Sequence, residues 1–144
     1  MANTEFSSTE NPHTGVTGNP RPRSTIEDQF SPYYLHHSDS NGGSLVSNVL
    51  TGTNYMPWSR AMMIVLEAKN KIGFIDGTIV KPSAEEPDLF RLWSHNNSTI
   101  VAWIMNSVSK DIAASLLLGG TARSIWNDLT YRFQQSNGSR IFQP

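Results

Sequence analysis

The sequence predicts a small all-α domain of about four helices, with an extended N-terminal arm and a disordered tail before it. Three observations carry that prediction. Residues 50–70, LTGTNYMPWSRAMMIVLEAKN, read as a turn, a helix start and then a strongly apolar helix. Between residues 89 and 133 apolar side chains recur at three- and four-residue spacing, the period of helices that bury one face. Residues 1–29 are rich in Ser, Thr, Asn, Pro and Gly. They carry too little apolar surface to offset the entropy of ordering them.

In chain order, Pro20-Arg21-Pro22-Arg23 is a weak proline–arginine pattern of the kind disordered tails often contain. The arm begins at Phe30-Ser31-Pro32-Tyr33-Tyr34-Leu35, where three aromatics and a leucine need cover and Pro32 disfavours helix. His36-His37-Ser38-Asp39 reads as exposed or capping polar residues. Adjacent histidines of an extended chain point to opposite faces, and no third metal ligand follows at usable spacing. Residues 45–50 suit a short strand or continued arm.

The first helix starts after Asn54, whose side chain can accept from an N–H of the first turn, and tolerates Pro57 only near that start. Trp58, Met62, Val65 and Leu66 share one face, yet Ala61, Met63, Ile64 and Ala68 fill much of the rest, so the helix calls for partners on most sides. Ile72, Phe74 and Ile75 then fold back over its end, with Gly73 and Gly77 reversing the chain. These glycines lack the G-K-[ST] ending of a phosphate-binding loop.

A second helix is expected from Pro87 or Asp88 to Asn106, its acids at the positive end. Its polar middle, Ser94-His95-Asn96-Asn97-Ser98, has two readings: these side chains face solvent, or Asn96 or Asn97 is buried and hydrogen-bonded. The first is favoured because burying an unpaired amide costs about 1–3 kcal/mol. Ser109 caps a short third helix with Ile112, Leu116 and Leu117 inward, ended by Gly119-Gly120. Thr121 caps a fourth, from Ala122 to about Gln135, with Ile125, Trp126, Leu129 and Phe133 in one stripe and Ser136-Asn137-Gly138 closing it. The predicted core, structural or interfacial, comprises Tyr55, Trp58, Met62, Leu66, Trp93, Trp103, Ile104, Trp126, Leu129 and Phe133.

Charge and composition narrow the function. The net charge of −1 divides into −3 over residues 1–50 and +2 over 51–144, so neither part is the polybasic tract that strong counterion-release binding to nucleic acid needs. With no cysteine, disulfides, zinc knuckles and thiol chemistry are all excluded within these residues. The first residues have neither the charged nor the apolar region of a signal peptide, and no apolar run nears the roughly 20 residues a bilayer requires. The cytoplasm, with the nucleus as alternative, is the expected compartment, and the sequons at Asn96, Asn97 and Asn137 should stay unmodified.

No catalytic set emerges. The serines lie in tail, caps and turns, the histidines are only His13, His36, His37 and His95, and Glu85, Glu86 and Asp88 cluster at an exposed helix start. No catalytic, cofactor or metal residue is expected, nor a small-molecule substrate or a membrane partner. The four tryptophans could stack on single-stranded bases, but each lies on its helix's apolar stripe and few basic residues interleave with them.

Pro32-Tyr33-Tyr34-Leu35-His36-His37-Ser38-Asp39, Leu50-Thr51-Gly52-x-Asn54-Tyr55-x-x-Trp58-Ser59-Arg60-Ala61-Met62 and Ala68-Lys69-Asn70-Lys71-x-Gly73-Phe74-Ile75-Asp76-Gly77 together resemble the N-terminal segment of Gag from plant copia-type LTR retrotransposons. The resemblance continues through Trp103-Ile104-x-Asn106-Ser107, Ile125-Trp126-x-x-Leu129 and Arg132-Phe133-x-Gln135-Ser136-Asn137-Gly138, over residues 30–142. It implies a capsid-like helical domain that assembles, with itself or other Gag-like chains, into particles packaging element RNA. It also implies boundaries: a tail at 1–29, the N-terminal segment at 30–79 and the start of the Gag helical region at 80–144, truncated relative to a family whose Gag commonly runs on to a Cys/His zinc knuckle. Two alternatives stay open: a nucleic-acid-binding module using the +2 charge and exposed aromatics, or a remnant unable to fold alone.

Overall fold

A computed structural model describes residues 28–40, 43–116 and 120–141, so most of the expected tail, together with Leu117 and Gly119, lies outside the described residues. Among the described residues, five α-helices follow a 3-10 turn at His37–Ser40: α1 (Tyr55–Ala68), α2 (Gly73–Asp76), α3 (Pro87–Met105), α4 (Lys110–Ser115) and α5 (Ala122–Ile141). Among the described residues there is no strand, only one parallel bridge between Leu50 and Val108. The fold is therefore all-α, and residues 73–76, expected to reverse the chain, form the short helix α2 before Gly77.

Helix α1 opens without the expected side-chain cap. Asn54 Oδ1 instead accepts from the Thr51 N–H at 2.9 Å, and its Nδ2 donates to the Val49 carbonyl at 3.0 Å. Of the two N–H groups a cap oxygen can reach, the third residue's is missing, because that residue is Pro57. The other end is a Schellman motif. Lys71 N–H donates to the Leu66 carbonyl and Asn70 N–H to that of Glu67, with Asn70 in the left-handed conformation at φ 61°. Gly77 ends α2 at φ 92°, where a Cβ would come within 2.7 Å of the Arg123 guanidinium on α5.

Helix α3 starts on Pro87, as its missing N–H allows, and corrects one expectation in its middle. Asn96 is fully buried, not solvent-facing. The arm lays the Tyr33 carbonyl onto α3, and Asn96 Nδ2 donates to it at 2.9 Å and to the Leu92 carbonyl at 3.0 Å. A partner supplied from 63 residues away satisfies the amide nitrogen and so offsets part of the penalty that argued against burial, while Oδ1 has no partner among the described residues. Asn97, half-buried, accepts the Ala122 N–H at 2.7 Å and so helps start α5.

The arm is not extended as expected. Hydrogen bonds from Ser31 N–H to the Asp28 carbonyl and from Tyr34 N–H to the Ser31 carbonyl fold it into turns, and the 3-10 turn follows. Tyr33 then reaches the core edge-on to Phe74, at 5.8 Å between ring centroids, whereas Phe30 stays 78% exposed instead of covered. Helix α4 stops at Ser115, before the glycines expected to end it, although Ser109 Oγ does accept the Ile112 N–H. Helix α5, capped by Thr121 Oγ1 on the Ser124 N–H, runs through Ser136-Asn137-Gly138 to Ile141. A glycine costs a helix only about 1 kcal/mol relative to alanine, too little to stop it by itself.

Helix α5 packs against α1, α2 and α3 and so holds the bundle together. Its Trp126 stacks on Trp58 of α1 at 5.4 Å, and Thr130 Oγ1 lies 2.7 Å from the Tyr55 hydroxyl. Ser107, after α3, is the polar junction of the same core. Its carbonyl accepts from the Trp58 indole N–H at 2.8 Å and the Leu50 N–H at 3.0 Å, and its hydroxyl accepts the Leu45 N–H at 3.0 Å while donating to the Trp103 carbonyl at 2.7 Å.

Truncating Trp58 to alanine should therefore cost about 3–5 kcal/mol of unfolding free energy. Ser107→Ala, which leaves the Leu45 N–H without its acceptor, should cost about 1–3 kcal/mol. Urea denaturation followed by tryptophan fluorescence measures both, and a Ser107→Ala midpoint equal to wild type would show that the junction contributes nothing.

Candidate interaction surface

The surface is built on α1, and the arm decides which of its faces remains open. Lys71, just past the Schellman turn, is 1% exposed and donates from Nζ to the Pro32 carbonyl at 2.6 Å and to the Tyr34 carbonyl. Two residues earlier, Lys69 Nζ pairs with the buried Asp39 carboxylate at 2.9 Å and lies 5.1 Å from the centroid of the Trp103 ring. Asp39 also accepts the His36 N–H at 2.9 Å, closing the turn that brings it there. The two lysines thus fasten residues 32–39 over the C-terminal end of α1.

These groups hold shifted proton affinities. Burial pushes the Lys71 ammonium from 10.5 down to about 8; the Asp39 charge pulls it back up and the Lys69 charge adds to the depression. Burial pushes the Asp39 carboxyl up, but the hydrogen bonds from Lys69 and the His36 backbone, with the charges of Lys69 and His36, outweigh it and leave the group below its ordinary 3.8.

With the arm fastened there, α1 divides into two faces. Tyr55, Trp58, Met62 and Leu66 point inward, joined in one buried cluster by Trp93, Trp103, Ile104, Trp126 and Leu129, with Phe133 partly buried against it. Opposite them, Met56, Met63 and Ile64 are 46%, 40% and 62% exposed. The expectation that α1 would be covered on most sides is thus corrected. Helix α5 packs along it, and the cluster it shares with α3 lies on the same inward side. The outward residues fall at i, i+7 and i+8, with Arg60 and Glu67 exposed between and after them. The sequence signal for this stripe was the apolar excess of α1, which did not say which residues would be left outside. Beside the stripe, a groove of about 850 Å³ is lined by Leu45, Val46, Val49, Pro57, Ala61 and Val65, among others.

His36 and His37 are exposed, and among the described residues no three His, Asp or Glu side chains converge as a metal site would require. No helix among the described residues is long and apolar enough to cross a membrane.

The segment that forms the arm's turn, α1 and α2 is also the one that other proteins share. Residues 36–83 match the family described as Gag-polypeptide of LTR copia-type. Over this segment the chain is similar to copia-type Gag. Two proteins of Arabidopsis thaliana, the retrovirus-related Pol polyproteins from transposons RE1 and RE2, are each 30% identical to this chain over 95 residues, 58% of its length. The chain spans 6% of the length of those polyproteins, the Gag-like part. No solved structure matches it. The whole stripe from Met56 to Glu67 and both clamping lysines lie inside the Gag match, whereas α3, α4 and α5 lie beyond it.

The clamp predicts a distinct pH dependence at each of its two ends. The folded pKa of Lys71 lies below the unfolded value, so the unfolded chain binds that proton more tightly and stability rises with pH between about 8 and 10.5. The folded pKa of Asp39 is likewise lowered, so its contribution is present above 3.8 and is lost as pH falls through the folded value. Urea midpoints measured across pH should show wild type gaining stability relative to Lys71→Met from pH 8 to 10.5. The gap to Asp39→Asn should close in acid. Profiles parallel to wild type would contradict the assignment.

Proposed function

We propose that this chain is a non-enzymatic Gag-derived structural domain that acts in the cytoplasm by self-association, with the family role of assembling capsid-like particles around element RNA. The observation that carries the reading is the exposed apolar stripe Met56, Met63, Ile64 on α1, inside the segment that matches copia-type Gag. An open apolar face on a rigid helix, rimmed by charges, has the character of a protein contact rather than of a reaction site. Its area is that of a single helix face, so the expected contact is weak, and particles would gain strength from repetition. Strong RNA binding by these residues is not favoured by a charge of +2 over residues 51–144.

Sedimentation velocity from micromolar to millimolar concentration tests the proposal. The weight-average sedimentation coefficient should rise with concentration in wild type and stay flat in Ile64→Asp, whose charge would be desolvated on association. Strictly monomeric wild type at the top concentration would overturn self-association. Thermal unfolding without a cooperative transition would favour an inert remnant instead.

A further inference from the structure

The outward stripe of α1 carries a self-complementary charge pattern. Projected at 100° per residue, Met56, Arg60, Met63, Ile64 and Glu67 fall within about 100° of one another, opposite the inward-facing Trp58 and Met62. Arg60 and Glu67 are exposed and take part in no ion pair among the described residues. Seven residues separate them, about 10.5 Å along the axis, too far for either to reach the other on its own helix. Met63 and Ile64 lie midway between them.

Resting on the self-association proposed above, we infer that the partner of this stripe is the same stripe of a second copy, with α1 packed antiparallel on α1 about a two-fold axis between Met63 and Ile64. Such an axis places residue 60 of one copy opposite residue 67 of the other, twice. Met63 then meets Ile64 at the centre, and Arg60 meets Glu67 on each side. A two-fold contact uses the same patch on both copies, which is why the pattern must read as its own complement when reversed. A parallel pairing would instead set Arg60 against Arg60 and Glu67 against Glu67, so the charges reject it. The groove beside α1 has no comparable pattern in its lining.

Charge reversal tests the geometry. Arg60→Glu alone and Glu67→Arg alone each create two like-charge contacts, so each variant should self-associate about tenfold more weakly than wild type. Mixed in equal amounts, they should associate again within about threefold of wild type. In that pair the acid introduced at position 60 faces the base introduced at position 67 of the other copy, and the two native residues, Glu67 and Arg60, face each other. The same recovery is expected in the double variant R60E/E67R. Both positions are exposed, so each variant should keep a cooperative thermal unfolding transition like that of wild type. Single variants that associate as wild type does, or a mixture that fails to recover, would overturn the antiparallel pairing and leave self-association standing. Wild type monomeric throughout, as it would be if the face met the chain's own N-terminal residues or an unrelated protein, would overturn both.

Discussion

The hydrogen bond from the Trp58 indole to the Ser107 carbonyl is the contact on which the remaining packing depends. It joins the first turn of α1 to the turn after α3, 49 residues away. The same carbonyl accepts from Leu50, so the strand-like approach to α1 is held at that point too. With the indole edge fixed, its face is presented to Trp126, and α5 stacks there. A tryptophan buried with its N–H unpaired would lose part of what its area contributes, so the serine carbonyl and the ring stack are two halves of one arrangement.

Lys71 has the complementary task at the far end of α1. An ammonium 1% exposed is costly to desolvate, and the two arm carbonyls that receive it are what make its burial tolerable. In return the arm, whose 3-10 turn is its one helical element among the described residues, gains fixed anchors on the helical body. Asp39 and Lys69 add an ion pair with one partner buried, a setting in which screening by salt is weaker than at an open surface. The arm in turn supplies the Tyr33 carbonyl that lets Asn96 enter the core, although the amide oxygen of Asn96 finds no partner among the described residues. Lysine, arm and asparagine therefore stand or fall together.

The consequence for function is geometric. The arm covers one end of α1 and α5 packs along its inner side, which leaves one apolar stripe facing outward. That stripe lies within the residues that match copia-type Gag, while much of the core that supports it comes from helices beyond the match. The residues that match the family thus sit on a core completed by helices beyond that match.

The sequence by itself determined the all-α class, the positions of α1, α3, α4 and the start of α5, and the resemblance to copia-type Gag. Those features rest on local periodicity, caps and turn residues, which are legible over a few neighbours. Ser109 and Thr121 cap as read, and Pro87 starts its helix. Only the tertiary structure decided that Asn96 is buried, that Phe30 is left open and that α1 keeps an uncovered stripe. Each of these depends on what a distant segment brings: the Tyr33 carbonyl to Asn96, Lys71 to the arm, α5 to one side of α1 and nothing described to the other. Hydrophobic period tells which residues of a helix are apolar, but the number of neighbours that arrive decides which of them meet water.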